Sequence, residues 1–225
     1  MRTIFSTANV HPRDRFDYWH DVARTHILDH NAKPESRHDF YAELLTSSLA
    51  NINLILFENS PMEVWHTARQ ASVSTDEILL CRQVAGTLTL QQDSRNVILE
   101  PDDFTLIEPL RPYNAQFLPG SKVLIVKIPR RSLEARIGKA RGMTAHCIKP
   151  SNFENKLAST CLGLLATHRT EISSRAEEIV TNKVLDLIAL SLGKSMEGAT
   201  PRVMRPIAGI YDNCGDRGTT VRPDP

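Results

Sequence analysis

The residues of this chain that could do chemistry are few, and their spacing is informative first for what it excludes. A metal-dependent barrel enzyme sets histidines alternately on a strand, His-x-His, with a carboxylate and another histidine close by, so that several donors converge on one ion. None of the 8 histidines falls in that pattern. His26 and His30 are four apart, a spacing that can clamp a metal on a helix. His30, however, lies where the helix gives way to Asn31-Ala32-Lys33-Pro34, so the two are read as surface histidines. His66 stands alone in the stretch Met62–Arg69 and is read as structural. Cys81, Cys147, Cys161 and Cys214 are far apart with no C-x-x-C pair, which fits neither a zinc knuckle nor a disulfide framework. No G-x-S-x-G elbow, P-loop or dinucleotide-binding glycine turn is present. No catalytic residue, metal or cofactor is assigned, and the chain is read as a non-enzyme.

Three side chains remain that suit a small-molecule site. Along Glu77–Val84 the alternating sets are Ile78/Leu80/Arg82/Val84 and Leu79/Cys81/Gln83. If the first set faces inward, Arg82 stands among apolar groups and suits a carboxylate. Trp65 offers a flat face for a planar ligand. Tyr113, just after Pro112, could cover a barrel mouth with its hydroxyl wet. The competing assignments are Trp65 as core, Arg82 paired with an acid such as Glu108, and Tyr113 as packing. Apolar walls with a few polar anchors are the usual make-up of a small-ligand site.

The elements that must position these residues fall into three stretches. Residues 12–28 put Phe16, Trp19, Val22, Ala23 and Ile27 on one helix face, with Pro12 in the first turn. From about 38 to 128, short apolar runs alternate with breakers such as Asn59-Ser60-Pro61, Gly86, Pro101-Asp102-Asp103 and Pro119-Gly120. That rhythm predicts eight to ten strands in a sandwich or closed barrel. After Pro129 the period becomes helical: Arg130–Gly138, then Asn152–Arg169, then Ser173–Leu192, the last two pairing antiparallel across a short link. Their apolar stripes are broader than packing on the barrel requires. Leu157, Leu164, Val184, Leu187 and Ile188 are therefore expected to contribute to a dimer interface. The fold expected is mainly β with α: a cupin-like jelly-roll barrel, an N-terminal helix and a C-terminal antiparallel helix pair.

Composition bounds the rest. With 27 basic and 26 acidic residues in 225, there is no electrostatic case for nucleic-acid binding. The basic run Arg130, Arg131, Arg136, Lys139 and Arg141 is interrupted by Glu134 and reads as a solvated helix. No apolar stretch is long enough to span a bilayer, and the N-terminus turns polar before a signal core could form. A reduced, cytoplasmic protein is expected. Residues 193–225 hold 5 Gly and 4 Pro, and read as a linker or tail after a domain of residues 1–192.

Several segments carry a family resemblance. Phe5-Ser6-Thr7, then Pro12, Arg15 and Trp19, resemble the opening of the sensor domain of AraC-type transcriptional activators. Gln83-x-x-Gly86, Gln91, Arg95, Leu99-Glu100-Pro101-Asp102-Asp103-Phe104, Glu108, Pro112-Tyr113 and Ile128-Pro129-Arg130-Arg131 continue it. The resemblance, to the AraC-binding, cupin-like subgroup, spans residues 4–192. It implies a barrel that binds a small effector, a dimerising helix pair at 152–192, a homodimer, and residues 1–11 as an arm over the pocket. DNA contact in such proteins belongs to a following helix-turn-helix half, whose Gly-Phe-Ser signature the last 29 residues lack. The expected role is therefore effector sensing and dimerisation without operator binding by this chain. A cupin-type metal-dependent enzyme with an atypical site is the alternative.

Overall fold

A computed structural model describes residues 3–167 and 173–197. A single 3-10 turn at Pro12–Asp14 leads into α1 (Arg15–His26). Phe16, Trp19 and Ala23 recur three and four apart, forming the face that α1 buries. Phe16 and Trp19 both meet the ring of Phe40 edge-on, 5.3 and 5.7 Å between centroids.

Eleven strands among the described residues form two antiparallel sheets. The six-stranded sheet contains β1 (Thr3–Ser6), β3 (Ala42–Leu49), β4 (Ile52–Asn59), β11 (Lys122–Pro129), β6 (Glu77–Ala85) and β9 (Phe104–Ile107), in the order β1-β3-β4-β11-β6-β9. The five-stranded sheet contains β2 (Asn31–Pro34), β5 (Met62–His66), β10 (Tyr113–Phe117), β7 (Leu88–Gln92) and β8 (Arg95–Leu99), in the order β2-β5-β10-β7-β8. The fold is a cupin-like jelly roll, but its sheets are not joined into the closed barrel expected from the sequence; they face one another as two layers. Within the segment expected as an arm, Thr3–Ser6 does not stand apart but pairs in register with Glu43–Thr46.

Two apolar layers result. Between the sheets lie Leu44, Phe57, Leu79, Cys81, Val123 and Ile125 from one side, and Met62, Val64, Leu88, Leu90, Ala115 and Phe117 from the other. The outer face of the six-stranded sheet carries Ile78, Leu80, Phe104, Leu106, Leu124 and Val126, covered by helices. Strands β6 and β11 are thus buried on both faces, which removes the polar alternation that would have told inside from outside.

The helical cover is α3 (Arg130–Ile137), α4 (Phe153–Thr167) and α5 (Ser174–Glu197). α3 stops at Gly138, whose φ of 73° is open to glycine. The Ser191 hydroxyl near the end of α5 donates to the carbonyl of Glu154 at the start of α4 (3.2 Å), so the two helices run antiparallel. Thr181 Oγ1 donates to Leu49 O (3.2 Å), and Glu177 Oε2 accepts from Ala50 N (3.3 Å), tying α5 to the β3–β4 turn. Gly193 does not end α5, which continues to Glu197; the rest of the glycine- and proline-rich tail lies outside the described residues. A short helix the periodicity did not show, α2 (Ala68–Ala71), follows β5 and is fixed by reciprocal bonds between Thr67 and Gln70.

Candidate functional site

The site is built in the inter-sheet layer, where Trp19 of α1 and the turn after α1 share a cavity with residues of β5 and β10. Tyr113, Ala115 and Phe117 alternate inward on β10. Tyr113 is paired in register with His66 on β5 and Gln92 on β7. The His66 ring stacks on Tyr113, 5.3 Å between centroids and 25° between planes. Both His66 nitrogens face carbonyl oxygens, Nδ1 at 2.7 Å from Asp29 O and Nε2 at 2.9 Å from Pro109 O. Gln92 Nε2 donates to Glu108 O and its Oε1 accepts from Glu108 N, both at 2.9 Å. These bonds hold the Glu108–Pro112 loop against the sheet.

From the other side α1 delivers Trp19, and the turn after α1 delivers His30. Their rings meet edge-on at 6.3 Å. His30 Nδ1 lies 2.7 Å from the Leu28 carbonyl and donates to it. Burial moves the His30 pKa down to about 4, helped by nearby His20 and His66 and opposed by the Leu28 bond and Asp29. The imidazole is therefore neutral at pH 7, with Nε2 carrying the lone pair. Trp19 is 3% exposed, and its Nε1–H has no acceptor among the described residues.

Trp19, His30, Met62, Cys81, Tyr113 and Ala115 are among the walls of a cavity of about 40 Å³. That is room for a few non-hydrogen atoms, since one water occupies roughly 10–15 Å³ on this measure. The interior is thus close-packed, with a residual space rather than an open bowl. Burial pushes the Cys81 thiol up to about 12, so it is no thiolate at neutral pH. The Tyr113 hydroxyl is likewise pushed up by burial and by Cys81, and stays protonated.

Of the three ligand candidates, the structure brings only Tyr113 to this cavity. Arg82 is the clearest correction. On β6 it is the set Leu79/Cys81 that faces the cavity, and Arg82 points with Ile78 and Leu80 toward the helices. There its Nε donates to Ser159 Oγ on α4 (3.1 Å), and its guanidinium pairs with Asp102. Glu108, the partner weighed for Arg82, is instead held by Arg130 Nη1 and Nη2 at 2.9 and 2.6 Å. Trp65 is on the outer face of the five-stranded sheet, beside Asn114, Gln91 and Asn96 in a groove of about 340 Å³. The alternation of β5 explains it: Met62, Val64 and His66 are buried, Glu63 and Trp65 exposed.

The helix residues divide in the same way. Val184 (6% exposed) and Ile188 (0%) belong to the chain's own core under α5, which the sequence could not separate from an interface. Leu187 is half-buried. Leu157 and Leu164 are exposed on α4, and Phe153 joins them on that stripe at spacings of four and seven. Ile179 and Leu190 are exposed on α5. Trp19 and His30 were missed as cavity groups; the signal for Trp19 was its place on the buried face of α1, and none existed for His30.

Two residues of the resemblance motifs hold the β6–β7 turn. Gln83 is fully buried and its Nε2 donates to Ala85 O (2.7 Å) and Ser121 Oγ (2.9 Å). A Cβ on Gly86 would meet the Gly120 carbonyl oxygen at 2.5 Å, so the turn requires its bare backbone. Two members of the basic run are also tied down: Arg130 bonds Glu108 and Asp76, and Arg136 bonds Asp186 and Asn182.

The fold is a two-sheet jelly roll with a helix layer on one face and a small space left between the sheets. The AraC-binding-like domain family matches residues 19–193, and the chain belongs to that family. Among solved structures, it is similar to the AraC-like transcriptional activator CuxR: TM-score 0.76 and 15% identity, over 86% of this chain and 70% of that one. Among curated proteins, an uncharacterized protein in the nit 5'region of Bacillus sp. (strain OxB-1) is 28% identical over 214 residues, 94% of this chain and 82% of that protein.

Proposed function

We propose that residues 1–192 are the sensing and dimerising domain of an AraC-type transcription regulator, working in the cytoplasm. A small molecule is read in the space between the sheets, and the readout is carried by α4 and α5. The observation that carries this reading is the two-sidedness of α4. Its inner residues Ala158, Leu162 and Ala166 are packed on the sheet, while Phe153 (76% exposed) and Leu164 (64%) stand out on the other side with Leu157. A helix with apolar groups on both faces is built for two partners, and a second copy supplies the outer one.

Cavity chemistry favours binding over turnover. Its thiol and phenol are held protonated, and no nucleophile–base pair is formed there. DNA contact is assigned to a separate helix-turn-helix half. Arg130 and Arg136 of α3 are already engaged with acids, and the net charge is +1.

Sedimentation velocity tests the pairing. The full chain is expected to be a dimer, and Leu157→Asp with Leu164→Asp a folded monomer. Val184→Asp is expected to unfold the chain instead, because it charges the core. A folded double variant that sediments as the wild type would overturn the α4 interface.

A further inference from the structure

The walls of the inter-sheet cavity carry no Asp, Glu, Lys or Arg. The wall residues that bear a polar group are Trp19, His30, Cys81 and Tyr113. Each is neutral at pH 7, since burial lowers His30 to about 4 and raises Cys81 to about 12 and Tyr113 beyond its ordinary range. A carboxylate or ammonium brought here would shed its water and meet no counter-charge, a loss that hydrogen bonds from neutral groups repay poorly. Arg82, the cation that seemed available for such a ligand, is on the other side of β6.

Against those walls the Trp19 N–H is the group with unmet demand. It is buried, it can only donate, and no acceptor reaches it among the described residues. Leaving such a donor unpaired costs free energy that an incoming acceptor recovers. Resting on the reading of this cavity as the receptor, we propose that its ligand is a neutral, largely apolar molecule whose oxygen or nitrogen acceptor is bound by Trp19 Nε1–H. The space of about 40 Å³ admits only a short molecule as it stands. Met62 in the wall is unbranched and can swing aside for a larger one.

The chain has two tryptophans, one in the cavity and one on the outer sheet, so ¹⁵N-labelled protein gives two indole N–H signals, assigned with Trp65→Phe. Four probes of matched size are titrated: butyramide, 1-butanol, butyrate and butylammonium. The amide and the alcohol are expected to move the Trp19 signal and leave that of Trp65 in place, and the two ions to move neither. Trp19→Phe keeps a ring in the wall but removes the donor; it is expected to weaken butyramide binding about fivefold, followed by thermal shift. Butyrate or butylammonium moving the Trp19 signal as strongly as butyramide would overturn the neutral class while leaving the cavity as receptor. Movement of Trp65 alone would overturn both. Silence of both signals toward all four probes would overturn the proposal, and the cavity itself is then judged by the filling variant described below.

Discussion

Cys81 and Arg82, consecutive on β6, face opposite layers: the Cys81 side chain lines the inter-sheet cavity, and Arg82 Nε donates to Ser159 on α4 at 3.1 Å. Ser159 in turn donates to the Asp102 carbonyl at 2.6 Å, and the backbone of Gly163 lies so close that a Cβ there would be 3.0 Å from the Arg82 guanidinium. One strand therefore touches both the space where a ligand is proposed to sit and the helix proposed to pair.

Arg82→Ala is expected to cost about 2 kcal/mol, since it removes charge-assisted bonds to Ser159 on α4 and to Asp102, and leaves Ser159 without that partner. The cost stays below that of breaking a fully buried ion pair because Asp102 is 60% exposed and remains hydrated. Urea denaturation gives the number. Binding of neutral probes to the cavity is expected to survive the substitution, which would not hold if Arg82 were a ligand anchor.

Gly86 and Gly120 make a paired test of backbone crowding. Both have positive φ, 66° and 74°, but an added Cβ at Gly86 meets the Gly120 carbonyl at 2.5 Å, whereas one at Gly120 meets nothing. Gly120→Ala should cost about 1–2 kcal/mol, the penalty of a left-handed alanine. Gly86→Ala should cost about 3 kcal/mol or more, because backbone must also move. Equal midpoint shifts in denaturant would contradict the crowding.

His30 predicts an acid-sensitive stability. Its pKa falls from 6.5 to about 4 on folding, chiefly through burial. Between those values the unfolded chain takes up a proton that the folded chain refuses, so stability is complete above 6.5 and drains away as pH falls toward 4. The full contribution is about 3 kcal/mol. Measured by urea unfolding at pH 7 and at successively lower pH, the wild type should lose this amount relative to His30→Asn. Parallel pH profiles for the two proteins would contradict it.

The architecture was legible because strand and helix periods differ and turn residues mark the changes. The period-2 runs from 38 to 128 and the stop at Gly138 were read correctly. What failed was facing. β6 is apolar at Ile78–Cys81 and buried through Gln83, so alternation gave two equivalent sets and Arg82 was put on the wrong one. β5 shows the same limit: Trp65 is the larger apolar group, yet the register with Asn114 turns it outward and leaves Val64 in the core. In α5 the stripe that packs on the sheet includes Val184 and Ile188, and an apolar stripe does not say whether its partner is the same chain or another. Trp19 and His30 meet through the irregular turn that follows α1, whose path apolar periodicity does not encode.

The claim on which most depends is that the space between the sheets receives a small molecule. Ala115, at the centre of β10 and facing that space, provides the direct test. Wild-type protein and Ala115→Leu are screened by thermal denaturation against one library of small neutral compounds. A ligand present at a hundred times its dissociation constant should stabilise the wild type by about 2.7 kcal/mol, and Ala115→Leu, with its cavity filled, should not respond. Hits that stabilise the filled variant as much as the wild type would place the receptor elsewhere.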